Sequence, residues 1–341
     1  MGTWNNVYLA LEGLTGNATP ANSTETINGV ALDIEFQTWT TAQVISSDTN
    51  LGSGTADSKG TFVRYDGDLT IDSGKTLSTS VRKRGLFILV KGNCTINGTL
   101  TQTARGASAS GQNVRILTGY DVPDAGASGG ISGYGNPGSN GTGIQTGGGG
   151  SGGDGSSPGA GSAGTSYSGG TGGASGGAGA AGGAGAANGG AGGDAHSNFG
   201  SLGVANVYTG GTGNGGGSGF NITGTSGTGG LLVICVLGVL TIGASGIISA
   251  KGVASANCTS GTDRNMGAGA SGGGIVVALY HTLLNSGTVT AGGGAAGTAS
   301  GGAVENWPGG TGGNGTTTLG QAFFVATTNY LKNYRRGSSA I

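Results

Sequence analysis

Two histidines, three cysteines and fifteen acidic residues are the stock from which this 341-residue chain could build a catalytic or metal site. His196 stands two residues from Asp194 in GGDAHSNFG, and one His with one Asp inside a glycine-rich segment is a weak catalytic signal. His281 follows the apolar run IVVALY, which predicts a rim or turn position. Asp121 and Asp124 are the sole close carboxylate pair near a candidate loop, and a polysaccharide depolymerase would need such a pair set in a groove. Cys94, Cys235 and Cys258 are odd in number and contain no C-x-x-C pair, so neither a disulfide framework nor a zinc site is indicated; each reads as a small buried apolar residue. The chain contains no G-x-S-x-G elbow leading into a helix, no H-E-x-x-H and no phosphate loop ending in G-K-[ST]. Matches to G-x-G-x-x-G carry no weight without a βαβ context. The reading is therefore non-catalytic: no catalytic residues, no metal and no cofactor.

What remains is binding. The large side chains lifted out of the glycine background are Tyr120, Tyr134, Phe199, Tyr208 and Trp307, with Tyr167 and Phe220. Aromatic side chains supply large contact area at low entropic cost, and Tyr and Trp add a hydrogen-bonding tip. Tyr134 and Trp307 are flanked by turn residues in YGNPGSNG and ENWPGG, whereas Tyr167 occupies a glycine-frame position and reads as a plug at an edge. We take Tyr120, Tyr134, Phe199, Tyr208 and Trp307 as the candidate receptor-binding residues. The partner is not nucleic acid, because 14 Lys+Arg against 15 Asp+Glu leave no basic face for phosphates. Nor is membrane insertion expected. The most apolar run, 231–242, is shorter than the ~20 residues a spanning helix needs, and the first residues lack the basic region of a secretory signal.

The elements that would hold these aromatics follow from a repeat. LTIDSGKTL (69–77), CTINGTL (94–100), LTIGASGII (240–248) and LLNSGTV (283–289) share an apolar–Thr–Ile-like step, a tight Gly turn and a second short apolar step. LFILV (86–90), LLVICVLGV (231–239) and IVVALY (275–280) precede the last three, and TARGA (103–107), SAKGVA (249–254) and TAGGGAA (290–296) follow them. Short alternating strands that recur as units predict a β-solenoid or stacked β-sandwich, with the glycine-rich stretches as excursions between rungs.

Glycine, 84 residues of the 341, has its own order. From Gly149 to Gly185 every third residue is Gly except at Pro158 and Tyr167. That period matches the three residues per turn of a polyproline-II-type helix. Collagen would need ~15–20% Pro, and the chain has 5 Pro in all. A packed bundle of glycine-rich left-handed helices, hydrogen-bonded between neighbours, is favoured over a three-stranded rope.

The expected fold is mainly β plus polyglycine-II, with β-solenoid or β-sandwich-like units, a glycine-rich left-handed helix bundle and almost no α-helix. The expected organisation is an N-terminal β attachment domain (1–60), β-repeat units (61–125), a polyglycine-II region (126–230), further β-repeat units (231–291), a second glycine-rich segment (292–320) and a C-terminal strand and tail (321–341).

GGTGGASGGAGAAGGAG (169–185) and GGTGGNG (309–315) resemble the tip adhesins of T-even-type bacteriophages, and SVRKRGLFILVKGNCTINGTLTQTARGA (80–107) is similar to a module of phage and prophage fibre proteins. The resemblance implies a sandwich of polyglycine-II helices whose loops at one end touch the host receptor. It implies an external virion location, and as partners a host cell-surface glycan or protein and other virion fibre or tail proteins. The chain would be a homotrimer or a single-chain cap on a trimeric fibre. The competing expectations are a structural virion component, such as a head fibre or decoration protein, and an extracellular bacterial surface or ice-binding protein.

Overall fold

An apolar–polar–apolar triplet, a glycine turn and a second apolar step can form two short strands at an angle, each with one buried face. A single such unit cannot cover its own apolar side, so units must stack. In the computed structural model they do. The structure describes residues 18–27, 30–54, 59–105 apart from 82 and 84, 229–254, 264–266, 273–295, 305–307, 316–325 and 330–336, together with 14, 257 and 298. Among the described residues the chain is strand and turn, with no helix. The polyglycine-II region expected over 126–230 lies outside them, apart from Gly229 and Gly230.

Five units stack in chain order. The first contains β2 (Val30–Trp39), β3 (Gln43–Ile45) and β4 (Thr49–Leu51); β1 is Ala21–Ile27. The second contains β5 (Gly60–Tyr65), β6 (Leu69–Ile71) and β7 (Thr76–Thr79), and the third β8 (Leu86–Val90), β9 (Cys94–Ile96) and β10 (Thr99–Thr101). In the fourth and fifth units the first two strands run together, as β11 (Leu231–Ile242) and β14 (Ile275–Asn285), followed by β12 (Ile247–Ser249) and β15 (Thr288–Thr290). Between these lie β13 (Arg264–Met266) and β16 (Glu305–Trp307), and the chain ends in β17 (Thr316–Val325) and β18 (Tyr330–Arg336).

Among the described residues every strand pairing between units is parallel, and the register shifts once, between Val236 and Val239 where β11 pairs with β14. Phe36, Phe62, Phe87, Val233, Val277 and Thr318 form one file across the long strands. Leu69, Cys94, Leu240 and Leu283 form a second, and Leu77, Leu100, Ile248 and Val289 a third. The last two files reproduce the repeat read from sequence. The stack also starts earlier than that repeat, because Gln43 pairs with Leu69 and Thr49 with Leu77, both within the N-terminal 60 residues. Antiparallel hairpins close both ends, β1 on β2 and β18 on β17. The basic tail YLKNYRR is thus itself a strand.

The core runs along the inside of the stack, where Leu69, Ile71 and Leu77 are repeated by Cys94, Ile96 and Leu100 and by Leu240, Ile242 and Ile248. In the short strands burial alternates, leaving Thr70, Thr95 and Thr241 half-buried on the outside. The long strands differ. All of β5 and β8 is buried, so their apolar runs read as continuous, as expected of parallel strands covered on both faces. On the second face Phe62 stacks on Phe87 with ring centroids 4.5 Å apart.

Glycine is required where turns stack. Asn97 and Gly98 both donate to the Ile71 carbonyl, at 2.9 and 3.0 Å, and Thr99 donates to the Lys75 carbonyl at 2.7 Å. This draws one turn directly onto the next, and a Cβ on Gly98 would collide with the carbonyls of Asp72 and Lys75.

Candidate recognition surface

Where each unit's third strand ends, the chain must return to begin the next long strand. In the first two units it does so directly, through 52–59 and 80–85. In the last three it departs on glycine-rich excursions, 102–230, 250–274 and 291–315. Because the units stack in register, the three departures lie at one corner, about 4.8 Å apart along the stack. Gln102 N–H donates to the Ser249 carbonyl (2.8 Å) and Ala250 N–H to the Thr290 carbonyl (3.0 Å). The returns lie at the same place: Gly230 N–H donates to the Gln102 carbonyl at 2.9 Å, and Gly274 N–H makes the equivalent bond to the Ala250 carbonyl at 2.7 Å. Any side chain on Gly274 would run into the backbone of Gly229 and Gly230.

The second and third excursions keep register beyond their roots. Ile247 pairs with Thr288, Arg264 with Glu305 and Ile275 with Thr316, the same offset each time. Thr298 N–H donates to Asn257 Oδ1 at 2.8 Å, again at that offset. β13 and β16 pair in parallel, with Arg264 opposite Glu305, Asn265 opposite Asn306 and Met266 opposite Trp307.

All five candidate binding residues fall on excursions from this corner: Tyr120, Tyr134, Phe199 and Tyr208 on the first, Trp307 on the third. Trp307 closes β16, in register with Met266. The other four lie outside the described residues, as do Tyr167, Phe220, His196, Asp194, Asp121, Asp124 and Cys258.

His281 is inside β14 rather than at a rim, exposed, with Nδ1 3.1 Å from Thr282 Oγ1. Sequence alternation across IVVALYHTLLN would have placed it there, because the strand continues through the polar pair to Asn285. Cys94 and Cys235 are free and buried. Burial pushes both thiols up to about 12, with the charge of Asp68 adding at Cys94, so neither forms a nucleophilic thiolate at neutral pH. Among the described residues no three His, Cys, Asp or Glu side chains gather as a metal site.

Two charged groups were not legible in the sequence. At the turn after the second long strand, Asp66 lies 3.1 Å from both Arg64 Nε and Lys91 Nζ. Burial acts to raise the Asp66 carboxyl, but Lys91 and Arg64 outweigh it and hold the group below its usual value. At the return corner of the first unit, Lys83 Nζ meets Glu35 Oε1 at 3.0 Å with both side chains at most 1% exposed. Glu35 also accepts from Ser53 N–H, Ser53 Oγ and Thr61 Oγ1 at 2.8, 2.6 and 2.7 Å. Alternation in the sequence hides this group, because Asp33, Glu35 and Gln37 alternate with Leu32, Ile34 and Phe36 and so read as solvent-facing; only the stacking of units buries Glu35.

No protein-family description, curated protein or solved structure matches this chain.

Proposed function

We propose that the chain is a non-catalytic phage fibre or tip adhesin: a β-solenoid that displays glycine-rich excursions, packed as polyglycine-II helices, to a host cell-surface glycan or protein. The observation that carries this reading is the convergence of all three excursions on one corner, with Gly230 and Gly274 making the same closing bond. A stack whose register is held by its own core leaves the excursions free of folding duty, so their sequences can vary with the receptor. Tyr120, Tyr134, Phe199, Tyr208 and Trp307 supply the contact area. The protein sits on the outside of the virion, joined to other fibre or tail proteins, as a homotrimer or as a single-chain cap on a trimeric fibre.

The test is binding of labelled, purified protein to intact candidate host cells, beside a variant in which 106–228 is replaced by a short Gly-Ser turn. Because Gln102 and Gly230 are hydrogen-bonded, this closure leaves the stack intact. Saturable binding that the variant loses while keeping its melting transition supports the adhesin. Binding to stripped virion particles instead of cells identifies a structural component, such as a head fibre or decoration protein. Cleavage of host polysaccharide would overturn the non-catalytic reading.

A further inference from the structure

The first and last units of the stack are finished differently. In the first, the core files are sealed. Ile45 and Leu51 are buried, and Gln43, at the place of Leu69, donates from Nε2 to the carbonyls of Thr41 and Ala42 at 3.3 and 2.9 Å. In the fifth, Leu283 and Val289 are only half-buried. Their counterparts in the same files are wholly buried: Leu69, Cys94 and Leu240 for the one, Leu77, Leu100 and Ile248 for the other. Leu284 is 58% exposed, and Ile247 of the fourth unit is 37% exposed. We infer that this end of the fifth unit is where copies of the chain meet, an uncharged contact centred on Leu284. The inference rests on the homo-oligomeric form of the adhesin proposed above.

Charge decides the occupant. Apolar side chains exposed at the end of a β-stack invite association, and proteins that stay single guard such places with charged residues. The first three units follow that rule, with Asp48, Asp66, Asp72, Lys75 and Lys91 on their turns. The fifth does not. From 265 to 304 the chain has no Asp, Glu, Lys or Arg, and the turn between Asn285 and Thr288 is Ser286-Gly287 alone. Such a surface offers no ion pair to a charged partner, yet it meets its own copy without repulsion and without stripping water from a charge.

The course of the strands agrees. β17 runs beside β14 from Ile275 to Tyr280 and then continues against β18, whereas Thr282 to Asn285 pair with β11. His281, Leu284, Asn285, Ser286 and Thr288 are exposed. Asn285 stands in the file of Ile45, Ile71, Ile96 and Ile242, with Oδ1 accepting from Gly287 N–H at 3.0 Å. An amide within an otherwise apolar contact must find a partner, and that requirement admits one alignment. Like ends meeting at one axis close the assembly, whereas last unit against first would run on as a filament. The sealed first unit, with Asp48 exposed beside it, disfavours the filament.

Sedimentation of the full chain over a range of concentrations tests this. The unaltered chain should form a closed oligomer of fixed size. Leu284→Asp should raise its dissociation constant by about tenfold or more, while Val44→Asp, at the other end of the same outer file, should leave it unchanged. An unaltered chain that stays monomeric overturns the inference. So do an open-ended series, an oligomer that Leu284→Asp leaves intact, and equal weakening by both variants. Hydrogen exchange on the unaltered chain gives a readout free of substitutions. Amides of 282–290 should gain protection as concentration rises and those of 43–51 should not; no gain at 282–290 overturns the inference. Binding to host cells separates the two readings. A monomer that binds them saturably sinks this inference and leaves the adhesin standing. An oligomer dispersed by Leu284→Asp that binds no cells upholds the contact and sinks the adhesin.

Discussion

The return corner of the stack is built in two ways. In the first units it is closed. The Glu35 carboxylate takes Lys83, Ser53 and Thr61, and Gln37 Oε1 accepts from Gly52 N–H at 2.7 Å. Next along the stack, buried Gln102 bonds Thr79 Oγ1, and Arg105 Nε donates to the Thr79 carbonyl at 2.8 Å. In the fourth and fifth units the same positions are Ala250 and Ala291, both buried, and the polar clasp is replaced by backbone bonds between stacked excursion roots. The Glu35–Lys83 clasp goes with the short returns of the first two units, whereas Gln102 and Arg105 tie the root of the longest excursion back to Thr79. Small residues let backbones approach and release the chain to travel outward. One repeat thus carries both short returns and long excursions.

The largest break in that contrast should come from the buried ion pair. Lys83→Met leaves the Glu35 carboxylate without its cation and should cost about 3–5 kcal/mol in equilibrium denaturation. Glu35→Gln added to it removes the stranded charge and should recover at least half of the loss. A single-variant cost under about 1 kcal/mol would mean that the clasp does not hold this corner.

A smaller effect belongs to the turn beneath the clasp. Gly52 has φ of 75°, and a side chain there would run into the Glu35 carboxylate. Gly52→Ala should cost about 2 kcal/mol, from left-handed strain and displaced hydrogen bonds. Gly54, two residues on and facing open space, should accept Ala within about 0.5 kcal/mol. Similar melting temperatures for the two variants would remove the special role of Gly52.

The smallest effect is expected at the half-exposed ion pairs of Asp66. Its carboxyl titrates below the usual ~3.9, so the folded state binds its proton less readily than the unfolded chain. The resulting stability is present above that value and is lost as pH falls through the lower, folded value. Lys91→Met should therefore cost under about 1 kcal/mol near neutrality, and the difference from the unaltered chain should vanish in acid. A gap that persists or grows in acid would place the role of Lys91 in packing rather than charge.

Much of the stack was readable in advance because its units share a local chemistry. The alternation in LTI and CTI, the glycine turns and the doubly apolar LFILV and LLVICV each state a strand and its burial without reference to the rest. The first unit escaped, since QVI and TNL are too polar to match the repeat, and only the register with Leu69 and Leu77 reveals them. The aromatics were legible as large side chains in a glycine field, and of the five only Trp307 lies among the described residues.

What the sequence determined by itself is periodicity: mainly β, few charges, and glycine where turns must stack. Those are properties of residue type and spacing, and short-range sterics and burial enforce them. The tertiary structure alone decided that excursions separated by long stretches of chain leave from one corner, and that Glu35 meets Lys83 across two units. Both depend on which strand pairs with which, and parallel pairing joins residues that no local pattern links.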